Sequence, residues 1–278
     1  MRLVNSILIA GISFEESSRK ENLRSSVSKL KGLFPDKTIF NEIIYKWQVN
    51  NRHYNLIFLG KRLISQWYLE RIWHAQNGSN LIIIKSSIYL VYKMIFQLLL
   101  RRKELIQNVN SNNILTYKHY QIWNYFINSD NKYLIVLEDD VIIYNDDDSM
   151  AYMEKILRRV EIENNKVIYV DLAGGLTIDQ MKIKKQVNEQ SEPLMELNIF
   201  ASRTTCAYMI NREAASFFLN YLNGRTTHLD LYPIDWIVNF LGIKMKKDKV
   251  NFLCIHTQPP IFTHGSVDGK FPSSIPRG

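Results

Sequence analysis

Short apolar runs alternate with amphipathic segments along this chain, which is the pattern of a layered α/β protein. The clearest apolar run extends from Tyr133 to Leu137, consists of β-forming residues and has the length of a strand buried on both faces. Just before it, residues 113–127 place aromatic and aliphatic side chains at helical spacing. The pattern therefore predicts a helix followed by a buried strand near the middle of the chain.

The first third of the chain predicts a β-α-β-β order followed by a helix. Strands are predicted at residues 6–10, 38–44 and 55–59, helices at 15–33 and 61–75, and a turn at Gly11. The apolar stretch 81–100 contains Lys85 and Lys93, and a charge near the centre of a membrane span costs about 3 kcal/mol. We therefore divide this stretch into a strand at 81–84 and an amphipathic helix at 87–100.

Beyond the acidic strand, the pattern predicts two more strands, two more helices and a C-terminal loop. The strands are predicted at residues 167–172 and 203–210, the helices at 212–223 and 234–242, and the loop at 255–278. Asp235 is predicted to cap the second of these helices. These elements complete a layered α/β sheet in the prediction.

The strand at residues 133–137 runs directly into Glu138, Asp139 and Asp140. Buried carboxylates without partners are costly, so these side chains are expected where the strand leaves the sheet, at the edge where open α/β sheets bind ligands. Glu138 and Asp140 share one face of an extended segment and could hold a divalent cation that also binds a diphosphate. An inert, solvated strand exit explains the same residues equally well.

Composition narrows the choice of partner. Hydrophobic residues make up 46% of the chain and charged residues 22%, which is typical of a globular protein. The net charge of +8 favours an anionic partner such as a nucleotide, an acidic glycan or a phospholipid surface. No zinc-ligand spacing or basic repeat supports nucleic-acid binding. The two cysteines do not form a disulfide framework, which favours a reducing compartment.

Four segments, in this order, resemble the sequence pattern of glycosyltransferase family 25. They are residues 119–123 (HYQIW) with the acidic strand that follows, residues 204–215 (TTCAYMINREAA), Pro233 to Asp235, and residues 258–266 (QPPIFTHGS) with Ser274 and Ile275. The resemblance covers about residues 112–275. Residues 1–110 lack the usual opening of the family, and His264 stands where the family has glutamine.

The resemblance implies a single domain, residues 1–278, with a GT-A-type fold: a Rossmann-like three-layer sandwich around a mostly parallel sheet. It implies a metal-dependent, inverting enzyme that moves a hexose from a UDP-sugar, with galactose as the first choice. The implied acceptor is a glycan or lipid-linked saccharide of lipopolysaccharide, lipooligosaccharide or capsule biosynthesis. The implied cofactor is Mn²⁺ or Mg²⁺.

Candidate metal and donor residues lie around the acidic segment. Asp140 is the expected ligand of a divalent ion that bridges the donor diphosphate, and His264 or His256 could complete the site. Glu138 and Asp139 are expected toward the donor ribose or in support of the metal. Three glycines at strand ends could allow close approach of the donor or simply form turns: Gly11, Gly174 and Gly175.

An inverting transfer also needs a carboxylate that accepts the proton of the acceptor hydroxyl. Asp171, Asp230 and Asp235 are the candidates in the family-like region. Asp235 is favoured because it lies in the family-like Pro-x-Asp segment beside Trp236, which could stack on the acceptor, and Asp171 is the second choice. His119 is a further candidate for contact with the acceptor, although a single histidine in a helix is usually structural.

Two other classes of function stay open. A nucleotidyltransferase or phosphotransferase could use the same acidic strand end, but it would normally have a glycine-rich or lysine-bearing phosphate loop. A peripheral membrane or glycan-binding protein without catalysis would need only the basic helix and the aromatic residues. We expect a cytoplasmic protein held loosely at the inner face of a bacterial inner membrane, with the basic residues 101–103 facing anionic headgroups or simply forming a solvated helix end.

Overall fold

The structure is a computed structural model, and it describes residues 6–14, 19–33, 38–45, 54–76, 80–144, 146–163, 165–175, 181, 187–191, 193–223, 232–266 and 268–271. Its strands are β1 (Ile7–Phe14), β2 (Thr38–Tyr45), β3 (Tyr133–Glu138), β4 (Val141–Ile143), β5 (Val167–Asp171), β6 (Val187–Ser191), β7 (Leu194–Leu197), β8 (Ala207–Asn211), β9 (Phe252–Thr257) and β10 (Phe262–His264). Its helices are α1 (Lys20–Leu33), α2 (Leu56–Gln76), α3 (Asn80–Ile95), α4 (Arg102–Ile127), α5 (Asp146–Glu161), α6 (Arg212–Leu222) and α7 (Ile234–Lys247), with a π-helical turn at Phe96–Leu100.

Eight strands form the central sheet in the order β2-β1-β3-β8-β5-β9-β7-β6. The strands β2, β1 and β3 are mutually parallel, and β5 is parallel to β9. Strand β8 lies antiparallel between β3 and β5, so those two strands point in the same direction. The predicted α/β class with a mostly parallel sheet is therefore confirmed, with β8 and β7 running against the majority.

Helices cover both faces of this sheet. Adjacent residues of β1 point to opposite sides: Leu8 joins a core with residues of α4 and α6, while Ile9 joins a core with residues of α1 and α5. A third apolar cluster joins α2 to the first half of α4, away from the sheet. Within the described part of the chain, no helix has the length and apolarity needed to cross a membrane.

Several predictions about single elements are wrong. Residues 55–59 and 81–84 are predicted as strands, but the first range lies largely within α2 and the second entirely within α3. The prediction fails because short apolar runs fit buried strands and helices equally well. Strand β1 continues through Gly11, which is therefore not a turn. Helix α7 is capped by Pro233 rather than by Asp235. The predicted C-terminal loop contains the end of β9 and all of β10.

A two-stranded sheet completes the edge where β3 ends. Strand β4 follows the acidic turn after β3 and pairs antiparallel with β10, with His264 opposite Val141. Glu138 stands beside Ile12 of β1 in the parallel register. The fold thus brings the ends of β1 and β3 together with a segment more than a hundred residues later in the chain.

Candidate active site

The turn between β3 and β4 holds Asp139 and Asp140, and neighbouring segments fix its backbone from both sides. The backbone N–H of Gly265 donates to the carbonyl of Asp140 at 2.8 Å. From α1, the side-chain amide of Asn22 donates to the carbonyl of Asp139 at 3.4 Å and to that of Val141. The orientation of the acidic turn is therefore set by tertiary contacts rather than by its own sequence.

Asp140 lies against the imidazole of His264. Its Oδ2 lies 3.1 Å from Nδ1 of His264 and accepts a hydrogen bond from the hydroxyl of Ser266. Its Oδ1 is buried and accepts no hydrogen bond from the described residues. A carboxylate oxygen and an imidazole nitrogen side by side are ligands that suit Mn²⁺.

An arginine faces the same carboxylates. The Arg19 guanidinium lies 3.4 Å from Oδ1 of Asp139 and 3.8 Å from Oδ2 of Asp140, and all three side chains are buried. Arg19 also covers the ring of Phe271 at 5.6 Å. No local sequence pattern distinguishes Arg19, because it precedes α1 in the part of the chain without family-like segments.

Helix α4 brings two basic side chains beneath Glu138. Nε2 of His119 lies 3.4 Å from Oε1 of Glu138, and the ring is completely buried. Burial, with a smaller contribution from the neighbouring Lys118, lowers the pKa of His119 to about 3, so the ring is neutral. Burial also lowers the pKa of Lys118 to about 8, while Asp139 and Glu138 raise it. His119 therefore lies under the acidic strand end and not on an open surface where an acceptor would bind.

Glu138 is the most strongly perturbed carboxyl group of the acidic segment. Burial raises its pKa to about 8, with Asp140 and Asp139 adding to the effect, while His264 and Lys118 oppose it. Perturbed ionisable groups gathered at the end of a buried strand are typical of functional sites.

Asp171 and His256 lie in a separate, closed network. Asp171 accepts a hydrogen bond from the backbone N–H of Arg203 at 2.7 Å and lies 3.5 Å from its guanidinium. Burial raises the pKa of Asp171 to about 6, although Arg203 opposes this shift. His256 stands beside Asp171 in the β5–β9 register, and its Nε2 is 2.8 Å from the carbonyl of Ala201. The structure thus brings His264, not His256, to Asp140.

The three glycines proposed for the donor site are each packed against protein atoms. A Cβ atom at Gly11 would lie 2.9 Å from the Leu23 side chain of α1. At Gly174 it would lie 2.6 Å from Pro260, and at Gly175 2.9 Å from Thr204. Close packing within the protein therefore explains the absence of a side chain at these positions.

Gly174 and Gly175 line a pocket of about 740 Å³. Two tyrosines and several polar side chains line it as well: Tyr144, Tyr152, Lys155, Arg203, Gln258 and Thr263. Pockets of this size hold small ligands, and aromatic walls with a few polar groups suit saccharides. Tyr144 directly follows β4 and Thr263 lies in β10, so the pocket borders the two-stranded sheet.

Asp235 and Trp236 lie in the first turn of α7, which packs on α4. Thr116 of α4 donates to the carbonyl of Tyr232 at 3.3 Å, one turn before His119. Trp236 is half-buried against Trp73 of α2, with ring centroids 6.5 Å apart. Burial raises the pKa of the Asp235 carboxyl. Asp230, the other candidate base, lies outside the described residues.

Among the described residues, no group of three or more histidine, cysteine or acidic side chains is arranged to hold a metal ion. Asp140 and His264 supply two ligands, and a metal ion held there would need oxygen atoms of the donor diphosphate to complete its coordination. Mg²⁺ and similar ions commonly bind in this way, through one or two carboxylates and substrate phosphates.

Comparison with known proteins identifies a family match for the middle of the chain. Residues 116–238, from the second half of α4 to the start of α7, match the sequence model of glycosyltransferase family 25 (LPS biosynthesis protein). This segment has the sequence pattern of a family 25 glycosyltransferase. The resemblance proposed from the sequence is confirmed over this range, and so is the enzyme class, a glycosyltransferase.

The other comparisons add little to the family 25 match. Among solved structures, the chain is similar to a glycosyltransferase involved in the glycosylation of the major capsid of PBCV-1, at 8% identity over 93% of this chain and 92% of that chain, with a TM-score of 0.39. A likeness at this level carries no conclusion about function. No curated protein sequence matches the chain. Arg19 and His264 lie outside the segment that matches family 25.

Proposed function

We propose that this family 25 glycosyltransferase transfers a hexose, with galactose as the first choice, from a UDP-sugar to a glycan acceptor of a bacterial surface polysaccharide. The transfer is metal-dependent and inverts the anomeric carbon, on a GT-A-type fold. The observation that carries the proposal is the Asp140–His264 pair at the end of β3, in which Asp140 belongs to the family-matching segment.

In this proposal Asp140 and His264 hold Mn²⁺ or Mg²⁺ together with the donor diphosphate. The buried Oδ1 of Asp140, which accepts no hydrogen bond from the described residues, fits a ligand position. When bound, the ion would supply Lewis-acid stabilisation of the charge that develops on the departing UDP. Arg19, within 4 Å of both aspartates, would contribute a second positive charge toward the phosphates.

Asp235 is the proposed general base. The oxygen of the acceptor hydroxyl bonds to the anomeric carbon while the bond from that carbon to the phosphate oxygen of UDP breaks. The hydroxyl proton passes to the Asp235 carboxylate, and UDP leaves with the bonding electrons. Burial raises the pKa of this carboxyl, which makes it a better proton acceptor near neutral pH.

The proposed location is the inner face of the bacterial inner membrane, where a lipid-linked acceptor would be displayed. Helix α3 and the π-helical turn support this proposal, because they expose a row of apolar side chains that ends in the exposed basic residues 101–103. Basic residues of this kind are attracted to anionic headgroups.

Calorimetric titration with a panel of nucleotide sugars, with and without Mn²⁺, tests the proposal. The expected result is Mn²⁺-dependent binding of a UDP-hexose, lost in Asp140→Asn together with transfer. Asp130→Asn is a matched control, because this exposed aspartate lies at the opposite end of β3. Full transfer by Asp140→Asn would contradict the metal site.

Transfer that persists in excess EDTA would point instead to Arg19 as the group that neutralises the leaving UDP. The observation behind this second mechanism is the ion pairing of Arg19 with the acidic turn. In that case Arg19→Gln would abolish transfer, whereas His264→Gln would leave it unchanged.

A further inference from the structure

A chain of buried polar contacts runs beneath Glu138. Nε1 of Trp123 lies 2.9 Å from the hydroxyl oxygen of Tyr208, and that oxygen lies 2.8 Å from Nδ1 of His119. On the other side of the ring, Nε2 of His119 lies 3.4 Å from Oε1 of Glu138. The side chains of Trp123, Tyr208 and His119 are completely buried, so their polar atoms can form hydrogen bonds only with one another or with other buried groups.

The chemistry of the indole donor fixes the direction of the first contact. The indole N–H of Trp123 can only donate, so the oxygen of Tyr208 accepts this hydrogen bond. The O–H of Tyr208 can then donate to Nδ1 of His119, which would accept. A neutral imidazole that accepts at Nδ1 carries its proton at Nε2, the nitrogen that faces Glu138.

Burial keeps these groups in the required protonation states. It lowers the pKa of His119 to about 3, and it raises the pKa of Tyr208 well above its ordinary value, although the Trp123 hydrogen bond opposes that shift. The ring is therefore neutral and the phenol protonated at neutral pH. Lys118, Asp139, Asp140 and His264 also act on the charge of Glu138, and Nε2 of His119 lies 3.4 Å from its Oε1.

We propose that His119 is a positioning residue, held in its Nε2-protonated form by Tyr208 and Trp123, which orients the Glu138 carboxyl group toward the sugar-nucleotide donor. The part of this inference that concerns the donor rests on the proposed function. Contacts of this kind are often long in a free enzyme and shorten when substrate binds, which fits the 3.4 Å separation. In this proposal the other carboxyl oxygen of Glu138 is the one that faces the ligand.

Nitrogen-15 NMR of histidine-labelled protein tests the tautomer without reference to any activity. The His119 signals, assigned with a His119→Gln variant, are expected to show a protonated Nε2 and an unprotonated Nδ1 in the full-length protein. Tyr208→Phe should change this pattern, because it removes the proton donor to Nδ1. A ring protonated at Nδ1 in the wild-type protein would overturn the inference.

A pair of variants then separates positioning from a merely structural role. His119→Gln can keep an N–H directed at Glu138, whereas His119→Leu fills a similar volume without one. We expect His119→Leu to weaken binding of the UDP-hexose by about tenfold or more, equivalent to about 1.4 kcal/mol, and His119→Gln to restore most of it. Equal losses in two variants of similar melting temperature would overturn the positioning role.

The two experiments can contradict different parts of the proposal. If the wild-type protein binds no nucleotide sugar, the proposed function fails, and with it the orientation of Glu138 toward a donor. The NMR result still decides whether Tyr208 and Trp123 hold His119 in the inferred tautomer. If the wild-type protein binds donor and His119→Leu binds it equally well, only the positioning role fails.

Discussion

Glu138 lies at the end of a buried strand among other carboxylates, and this environment makes the stability of the protein depend on pH. Its pKa rises from 4.5 in the unfolded chain to about 8 in the fold, mainly through burial. Between these values the folded state binds more protons than the unfolded state, so stability falls as pH rises. Two neighbouring groups titrate outside the range from pH 6.5 to pH 8. His119 makes stability rise with pH only below about 6.5, and Lys118 does so only above about 8.

We therefore predict that, in the presence of a chelator, the free energy of unfolding decreases by about 1–2 kcal/mol between pH 6.5 and pH 8. Glu138→Gln should remove this decrease, since the amide does not titrate. Urea unfolding at several pH values measures the effect. Glu154→Gln, on the exposed side of α5, is the control and should keep the wild-type slope. An unchanged slope in Glu138→Gln would show that another group is responsible.

Asp235→Asn tests the proposed base separately from the donor site. The carboxylate lies on α7, on a different element from the acidic turn. We predict that the variant binds the UDP-sugar normally and turns over roughly a hundredfold more slowly or worse, the usual size of a lost general base. Donor titration together with initial rates distinguishes the cases. Weaker donor binding with unchanged turnover of bound donor would show that Asp235 has a structural or donor-side role.

Sequence patterns predicted some elements well for physical reasons that are easy to name. The run at residues 133–137 was unambiguous because a charged segment ends it, and β2 was found almost to its bounds. The pattern at residues 81–84 predicts a strand, because an apolar run of this length is too short to show the periodicity of a helix. In the structure they are the first turn of α3, whose continuation decides their conformation.

The candidate site could be predicted only in part. Asp140 and its carboxylate neighbours follow from one local pattern. The sequence left His264 and His256 as equal candidates, and only the pairing of β10 with β4 brings His264 to Asp140. Arg19 has no local signal, and Tyr208 lies in the family-like segment 204–215 without any sign of its role, since each becomes part of the site through a contact made across the fold.

Gly242 is an element-scale feature whose effect the structure predicts directly. A Cβ at this position of α7 would lie 2.7 Å from the carbonyl oxygen of Phe200 and 2.8 Å from its Cβ. We predict that Gly242→Ala destabilises the fold by about 1–3 kcal/mol through overpacking. Gly60→Ala, in α2 with no atom within 4 Å of the new Cβ, should be neutral or stabilising. Thermal unfolding compares the two, and equal stability changes would refute the packing argument.

On the scale of the whole molecule, the chain combines a net charge of +8 with a cluster of exposed apolar side chains on one helical segment. Side chains along α3 and the π-helical turn are between 56% and 72% exposed: Ile84, Ile88, Tyr89, Val91, Tyr92, Ile95, Leu99 and Leu100. The rings of Tyr89, Tyr92 and Phe96 stack along the same helical segment. Contiguous apolar patches next to basic residues are typical of membrane-surface helices.

We predict that the protein binds vesicles containing anionic phospholipid through this surface, and that binding weakens in salt because each basic residue near the headgroups contributes about 1 kcal/mol. Ile88→Ser should reduce co-sedimentation by about tenfold, since burying one isoleucine side chain stabilises the bound state by about 1.5–3 kcal/mol. Ile162→Ser is the matched control, because Ile162 has the same 68% exposure but follows α5, outside the apolar surface. Equal losses in both variants would mean that general hydrophobicity, not this surface, mediates binding. Absence of binding even at low ionic strength would remove the membrane from the proposed location.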